Sequence, residues 1–127
     1  MSDDQARGTS SAVGLEHVWL SYDYLNRGDI DGYASLLDAD ARLYRPGHQP
    51  VLGRASIERL ADARQLRGPG RHIVHDVFAS DGRVAAMGRF VGKHHGTLVE
   101  FDFADLFAVS EFGLLLQQKC YHFVEPG

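Results

Sequence analysis

The chain has 127 residues, of which 44% are hydrophobic and 24% charged, and these values are typical of one globular domain rather than two. The formal net charge is −4 and the 13 basic residues are scattered, which argues against a nucleic-acid partner, and no stretch approaches the roughly 20 apolar residues of a membrane span. The single cysteine, Cys120, excludes an intrachain disulfide and favours a cytoplasmic location. Met1–Ser11 is polar, lacks the apolar core of a secretory signal, and is predicted to be a disordered tail before a single domain over residues 12–127.

The first predicted element is an amphipathic helix. Apolar residues recur at spacings of three and four from Leu15 to Leu25, which places them on one helix face. Ser10 or Ser11 is a candidate cap for the start of this helix, and Gly28 is its predicted end.

Two further helices and a short strand follow. Asp29 is a candidate N-cap for a short second helix whose apolar stripe ends at Leu37. Ala41–Tyr44 is predicted to be a short strand, because β-formers precede a Pro-Gly pair. Gly53–Ser56 leads into a third helix, which must end before the breaker Gly68–Gly70.

The second half of the chain carries strand patterns. Four strands are predicted, over Arg71–Ala79, Val84–Val91, Leu98–Val109 and Leu114–Val124. Ser80–Gly82 is a turn sequence between the first two, and the other connections are equally short. Short turns favour antiparallel pairing of these strands.

The order of the elements predicts the fold class. Helices followed by a run of strands favour an α+β architecture, with the helices covering one face of the sheet. A curved sheet closed by helices leaves a cone, and its open end is a natural ligand site. We therefore predict a cone-shaped domain around an apolar pocket.

Several segments together resemble a known pattern. They are Tyr24–Gly32, Leu36–Ala41, Pro46, Gly53–Ile57 and Phe103–Phe107. In these segments the chain is similar to the nuclear transport factor 2-like superfamily, and within it to ketosteroid isomerases and SnoaL-like polyketide cyclases, over about residues 15 to 124. The resemblance implies a cone-shaped fold with N-terminal helices on a curved, mostly antiparallel sheet. It implies less about function, because this fold serves isomerases, cyclases, dehydratases, epoxide hydrolases and binding proteins.

The resemblance transfers few catalytic residues. Asp105 matches the aspartic acid of the ketosteroid isomerase oxyanion hole, but the position of the isomerase base is Arg45, which cannot accept a proton. The tyrosine position falls on Ser21, with Tyr22 beside it. Steroid isomerisation by that mechanism is therefore not expected. An epoxide-hydrolase mechanism is not expected either, because its arginine and second aspartate positions hold Phe103 and Phe123.

The alternation of the third long strand points to Asp105 as the chemical centre. Phe101, Phe103, Asp105 and Phe107 share one face, which is the more apolar and should be concave. Burial among phenylalanines should favour the neutral carboxylic acid, which can donate a proton or a hydrogen bond. The alternative is a structural aspartate bonded to a backbone N–H or to Arg45.

His122 is the second candidate catalytic residue. On the last strand, Leu116, Gln118, Cys120 and His122 alternate toward the concave face. His122 could then act as a general base oriented by Asp105, or it could bond to a loop carbonyl at the rim. Cys120 is more typical of an inert buried thiol than of a nucleophile.

The remaining candidates are substrate contacts. Arg45 could bind a substrate carboxylate or enolate, or it could pair with Asp105. The full predicted set of contacts is Trp19, Tyr22, Tyr44, Arg45, His48, Phe90, Phe101, Phe103, Leu116, Gln118 and Cys120. Trp19 and Tyr22 are more typical of core residues than of ligand contacts.

No metal or cofactor is predicted. His72 and His75, three apart on a strand, should face opposite ways, and the adjacent pair His94 and His95 should cap a hairpin in solvent. Proton transfer needs no cofactor.

These observations favour an enzyme that moves protons on a hydrophobic, polyketide-like or steroid-like substrate, as a cyclase, isomerase or dehydratase. The alternative is a non-catalytic protein that binds an apolar metabolite. The convex sheet face, with Met87, Leu98 and Leu106 at its centre and Arg89 paired with Glu100 and Asp102, is predicted to form a homodimer.

Overall fold

The structure, a computed structural model, describes residues 3–63, 66–67 and 69–123, with side chains from residue 11 onward. It has three helices and six strands in the described part of the chain. They are α1 (Asp3–Arg27), α2 (Ile30–Ser35), β1 (Leu37–Tyr44), β2 (Val51–Leu52), α3 (Arg54–Asp62), β3 (Gly70–Ser80), β4 (Arg83–His94), β5 (Thr97–Val109) and β6 (Leu115–His122). The short strand β2 was not predicted, and the predicted end of the last strand, Val124, lies outside the described residues.

One curved, unclosed sheet carries all six strands. Their order is β2-β1-β6-β5-β4-β3, and every neighbouring pair is antiparallel except β1 and β6, which are parallel. The helices pack on the concave face, and the apolar core lies between the two layers. The predicted α+β architecture is confirmed. We call the space enclosed by the concave face and the helices the cup.

Two tight turns join the long strands. Asp81 and Gly82 both have positive φ, 51° and 75°, and connect β3 to β4. His95 and Gly96 do the same between β4 and β5, with φ of 51° and 80°. Two-residue turns with positive φ at both positions match the twist of antiparallel strands, which explains why these hairpins are tightly paired. The prediction that His95 lies in a hairpin turn is confirmed.

The first helix begins earlier than the sequence predicts. α1 starts at Asp3, so most of the segment predicted to be a tail lies within the helix, and a start at Ser10 or Ser11 is wrong. Ser11 is buried, and its Oγ accepts a hydrogen bond from the backbone N–H of Gly82, 2.9 Å away. This bond attaches the helix to the β3–β4 turn. Although α1 has 25 residues, no helix in the described part of the chain is both long and apolar enough to cross a membrane.

The buried face of α1 differs from the predicted one at Trp19. The helix buries Val18, Ser21 and Tyr22 against the sheet, whereas Trp19 is 41% exposed. One residue corresponds to about 100° of rotation on a helix, so burial of Val18 turns Trp19 toward solvent. Trp19 is therefore neither a core residue nor a residue of the cup.

A bulge changes the face to which Leu116 points. The pairing of β5 with β6 shifts between Ala108 and Val109, so that Val109 pairs with Leu115 and Ala108 with Gln117. The extra residue on β6 reverses the alternation, which buries Leu115 in the core and leaves Leu116 half-buried. The prediction that Leu116 points into the cup is wrong for this reason.

The convex face carries the predicted ion pairs. Arg89 on β4 bonds to Glu100 at 3.2 Å and to Asp102 at 3.1 Å on β5. Met87 and Leu106 on the same face are 38% and 47% exposed, which leaves an apolar surface beside these charges.

Candidate functional site

The centre of the cup is a fully buried carboxylate. Asp105 on β5 has no exposed surface, and four hydrogen bonds reach its two oxygens. The Arg67 guanidinium donates to Oδ1 at 2.6 Å and to Oδ2 at 3.0 Å. The Tyr22 hydroxyl donates to Oδ2 at 2.6 Å and the Gln118 amide at 3.4 Å. Because every partner is a donor, both oxygens act as acceptors, as they do in an ionised carboxylate.

Arg67 is the partner that the sequence did not predict. A buried carboxylate requires a compensating charge, and the Arg67 side chain supplies it in a bidentate pair while remaining only 3% exposed. The alternatives that assigned this role to Arg45 or to a backbone N–H are wrong. Burial alone would lower the pKa of Arg67, but the charge and hydrogen bonds of Asp105 outweigh burial and raise that pKa.

The position of Arg67 explains why it was missed. It lies in the connection between α3 and β3, next to a Gly-Pro-Gly sequence that indicates a loop. The side chain enters the cup and its guanidinium lies 4.4 Å from the centre of the Phe103 ring, a cation–π contact. The only sequence observation that could have identified it is the buried Asp105 itself, which needs a cation from some part of the chain.

His122 on β6 extends this network toward the opening of the cup. The Arg67 Nε lies 3.0 Å from His122 Nε2, and the ring packs on Phe101 with centroids 4.4 Å apart. Arginine has only donors, so Nε2 accepts, and a neutral His122 carries its proton on Nδ1. Burial and the charge of Arg67 lower the pKa of His122, against an opposing effect of Asp105. The imidazole is therefore neutral near pH 7.

Tyr22 takes the place that the resemblance assigned to Ser21. Ser21 donates its hydroxyl to the backbone carbonyl of Val18 at 2.6 Å, whereas the neighbouring Tyr22 reaches Asp105. Burial and the Asp105 carboxylate raise the pKa of Tyr22 well above its ordinary value, so it remains a hydrogen-bond donor. Burial also raises the pKa of the Cys120 thiol to about 12, which makes a thiolate nucleophile unfavourable.

His72 on β3 is a second buried histidine of the cup. Its ring is packed against Tyr22, Phe90 and Phe103, with centroids 5.1 to 5.6 Å away. The backbone of His72 is held by the Asn26 side chain, which donates to its carbonyl at 2.8 Å and accepts from its N–H at 2.7 Å. Its Nδ1 has no hydrogen-bond partner within the described structure. Burial, then Arg67 and His122, lower the pKa of His72 to about 3.

Three cavities border Arg67. The mouth cavity, of about 470 Å³, is open and lies over Phe101, His122 and Arg67. The inner cavity, between Tyr22, Arg67 and Gln118, holds only about 10 Å³. A side cavity of about 300 Å³ lies between the end of α1 and α3. Leu66 and Arg67 line all three, so these two residues separate the cavities from one another.

The predicted apolar pocket around Asp105 is therefore largely filled. Asp105 lines none of the five cavities found among the described residues, because Arg67 occupies the space in front of it. The expectation of a neutral acid open to substrate was based on a pocket without a cation. The open space lies farther out, in the mouth cavity.

The structure brings together only part of the predicted set of contacts. Arg45, His48, Phe101 and His122 line the mouth cavity, and Arg45, Tyr22, Gln118 and Cys120 line the inner cavity. Phe90 and Phe103 are core residues at 0% and 4% exposure and line none of the described cavities. Tyr44 also lines none of them; the Lys119 ammonium lies 5.6 Å from the centre of its ring.

The histidines on β3 lie apart. His72 is buried in the cup and His75 is exposed, in agreement with the prediction from their spacing. Within the described ranges, no group of three or more His, Cys, Asp or Glu side chains is arranged to hold a metal ion.

The family model of the SnoaL-like domain matches residues 20–117, which is most of the chain. The chain belongs to the SnoaL-like domain family. The predicted membership of the nuclear transport factor 2-like superfamily is confirmed. No curated protein matches the chain.

Solved structures of this SnoaL-like protein's relatives agree on the fold. An epoxide hydrolase of the LEH-like type from M. tuberculosis is similar, with a TM-score of 0.77, 16% identity, and coverage of 89% of this chain and 84% of that one. A protein of Jannaschia sp. CCS1 described as a SnoaL-like polyketide cyclase has a TM-score of 0.76, 16% identity and coverage of 96% and 89%. An M. tuberculosis protein in complex with estradiol-17β-hemisuccinate has a TM-score of 0.76, 15% identity and coverage of 86% and 92%. At these identities, the likeness shows the fold alone.

Proposed function

We propose that this SnoaL-like protein is an enzyme that transfers protons on a hydrophobic small molecule bound in the mouth cavity. The observation that carries the proposal is the chain of contacts from buried Asp105 through Arg67 to His122, which ends in the wall of that cavity. A volume of about 470 Å³ is within the range of small-molecule sites. Proteins of the same fold include one described as a polyketide cyclase and one described as an epoxide hydrolase, and another was solved in complex with a steroid ester.

In this proposal His122 is the proton acceptor and donor. A neutral imidazole is a competent base near pH 7, but its Nε2 lone pair is engaged by the Arg67 N–H in the free protein. A substrate carbonyl oxygen that takes over this N–H frees Nε2. The substrate proton then passes to Nε2 while the oxygen gains negative charge beside Arg67, and His122 returns the proton to a second atom of the substrate.

Asp105 is a positioning residue in this arrangement. It is buried and touches none of the described cavities, so it acts by fixing the Arg67 guanidinium, together with Tyr22 and Gln118. Such fixed donors stabilise a developing oxyanion better than mobile ones because no reorganisation is needed during the reaction. The products are those of cyclisation, isomerisation or dehydration, which all begin with proton removal beside a carbonyl.

Deuterium exchange tests the proposal without knowledge of the final product. In D2O, a panel of steroid-like and polyketide-like ketones is incubated with the protein, and mass spectrometry follows deuterium uptake or chemical change. We expect His122→Gln to reduce the rate by about 10²- to 10⁴-fold, as for loss of a general base. His75→Gln is the matched control, since that residue is exposed. A full rate in His122→Gln would overturn the assignment.

The alternative function is non-catalytic binding of an apolar metabolite. The small inner cavity favours it, since about 10 Å³ gives a ligand no access to the Asp105 carboxylate while Arg67 is in place. Ligands that bind by titration but show neither deuterium uptake nor a new product would support this binder.

We also propose that the convex face forms a homodimer, in the cytoplasm. Exposed Met87, Leu98 and Leu106 supply an apolar centre, and the Arg89 ion pairs lie beside it. Sedimentation should give twice the chain mass of 14.1 kDa, and Leu106→Asp should return it to the monomer value. A monomer in the unmodified protein would contradict the proposal.

A further inference from the structure

The wall of the mouth cavity is basic, although the protein as a whole is acidic. The net charge of the chain is −4, yet the described residues of this wall include no Asp or Glu. They do include three cations and four histidines, namely Arg45, Arg67, Lys93, His48, His94, His95 and His122. A wall that carries cations and imidazole N–H donors, with no carboxylate among its described residues, favours an anion.

The charge of Arg67 is already used inside the cup. Its guanidinium is paired with Asp105, so this pair adds little net charge to the cavity. Lys93, in contrast, is exposed at the end of β4 and forms none of the ion pairs found within the described part of the chain. Its ammonium group is therefore available to a ligand at the rim.

The rim that presents these groups is built by specific hydrogen bonds. The backbone N–H of Lys93 donates to the Pro69 carbonyl at 3.1 Å, which joins β4 to the loop that precedes β3. In the loop after β1, the His48 N–H donates to the Arg45 carbonyl at 3.2 Å, and the His48 Nδ1 lies 2.9 Å from the Pro46 carbonyl. Hydrogen bonds thus hold the backbone at both Lys93 and Arg45, and both residues line the same cavity.

The cavity also has an apolar part to its lining. Pro46, Leu66, Pro69 and Phe101 contribute it. A small inorganic anion would leave this surface uncovered, whereas a molecule with an apolar body would bury it. The lining of the cavity therefore favours a ligand that has both an anionic group and an apolar body.

We infer that the mouth cavity binds an amphipathic carboxylate, an apolar molecule whose acid group lies at the rim beside Lys93 and Arg45 and whose body lies on Phe101. The inference rests on the proposed function, because it names the substrate class for the same cavity. The apolar body would then place a carbonyl of the substrate near Arg67 and His122, and the acid group at the rim would fix the orientation of the substrate.

The test compares two probes of equal size. Naphthalene-2-carboxylate and neutral naphthalene-2-carboxamide are titrated by calorimetry against the full chain at pH 7.5. We expect the acid to bind about tenfold more tightly, since a charge-assisted contact replaces a neutral one. Its affinity should fall as salt is raised, while that of the amide should not.

Two lysines provide the matched variants. Lys93→Gln should remove most of the preference for the acid and leave binding of the amide unchanged. Lys119→Gln removes the same charge from an exposed lysine that lines none of the described cavities, and should leave the preference intact. Acetate, which has the acid group without the body, should compete poorly at the concentration at which naphthalene-2-carboxylate saturates the protein.

Equal affinity for the two probes, or a preference that Lys93→Gln leaves unchanged, would overturn the inference. The readout is binding, so its failure is distinct from failure of the proposed function. If the protein prefers the acid but catalyses no deuterium exchange, the inferred ligand class stands and the catalytic assignment fails. If it catalyses exchange on neutral ketones but does not prefer the acid, the catalytic assignment stands and the inferred ligand class fails.

Discussion

Replacement of Asp105 by Leu is expected to lower the free energy of unfolding by about 3–5 kcal/mol, because Arg67 is then left as a buried cation without its carboxylate. Removal of both the Asp105 and the Arg67 charge should lower the free energy of unfolding far less. In the double variant Asp105→Leu, Arg67→Met, we expect most of the lost stability to return, since apolar residues of similar volume replace a buried pair without the cost of desolvating it. Urea unfolding followed by circular dichroism measures each variant.

An exposed ion pair provides the control for this experiment. Asp102 bonds to Arg89 on the convex face, where the two side chains are 60% and 42% exposed. Asp102→Leu should change stability by no more than about 1 kcal/mol, since surface pairs contribute little. If Asp105→Leu were as stable as the wild type, or if the double variant were the least stable of all, the ion pair would not be the central contact of the cup.

The second large effect concerns the dependence of stability on pH. The pKa of His72 is lowered from 6.5 to about 3 in the folded protein, so between these values the unfolded chain binds the proton and the folded one does not. The neutral, buried histidine is therefore most favourable above pH 6.5. As the pH falls below 6.5, the contribution of His72 to the free energy of unfolding is lost by about 1.4 kcal/mol for each pH unit.

The variant His72→Phe isolates this effect from that of the carboxylates. Its ring can keep the packing on Phe90 and Phe103 but cannot take up a proton. As the pH falls from 6.5 to 4.5, the wild type should lose about 2–3 kcal/mol of unfolding free energy relative to this variant. His75→Gln, which removes an exposed imidazole from the same strand, is the matched control. A difference that does not vary with pH would show that His72 titrates alike in the folded and unfolded chain.

Strand periodicity was sufficient to locate the centre of the site. Alternation along β5 placed Phe103, Asp105 and Phe107 on the concave face, and the structure buries all three. The same rule worked for His122 and Gln118 on β6, since both residues reach the network around Asp105. These predictions held because the period of a strand is a local property, which the neighbouring residues of the chain reveal.

Departures from regular geometry were not visible in the sequence. The bulge that buries Leu115 instead of Leu116 arises where β6 also meets the parallel strand β1, a pairing between distant parts of the chain. Arg67 was missed for a related reason, because the partner of a loop side chain depends on the tertiary fold and not on the neighbouring sequence. The length of α1 depends on contacts of the same kind, such as that of Ser11 with the β3–β4 turn.

Leu66 and Arg67, which separate the three cavities, belong to the connection between α3 and β3, whereas Asp105, Gln118 and His122 belong to the sheet. The connection thus supplies both the boundaries of the cavities and the cation beside Asp105, while the sheet holds the carboxylate, the amide and the imidazole. Exchange of Leu66 would reshape all three cavities without disturbing the paired strands, whereas exchange of Arg67 would also leave Asp105 without its cation. One short segment can therefore vary the shape of the cavities only under the constraint that a single arginine stays in place.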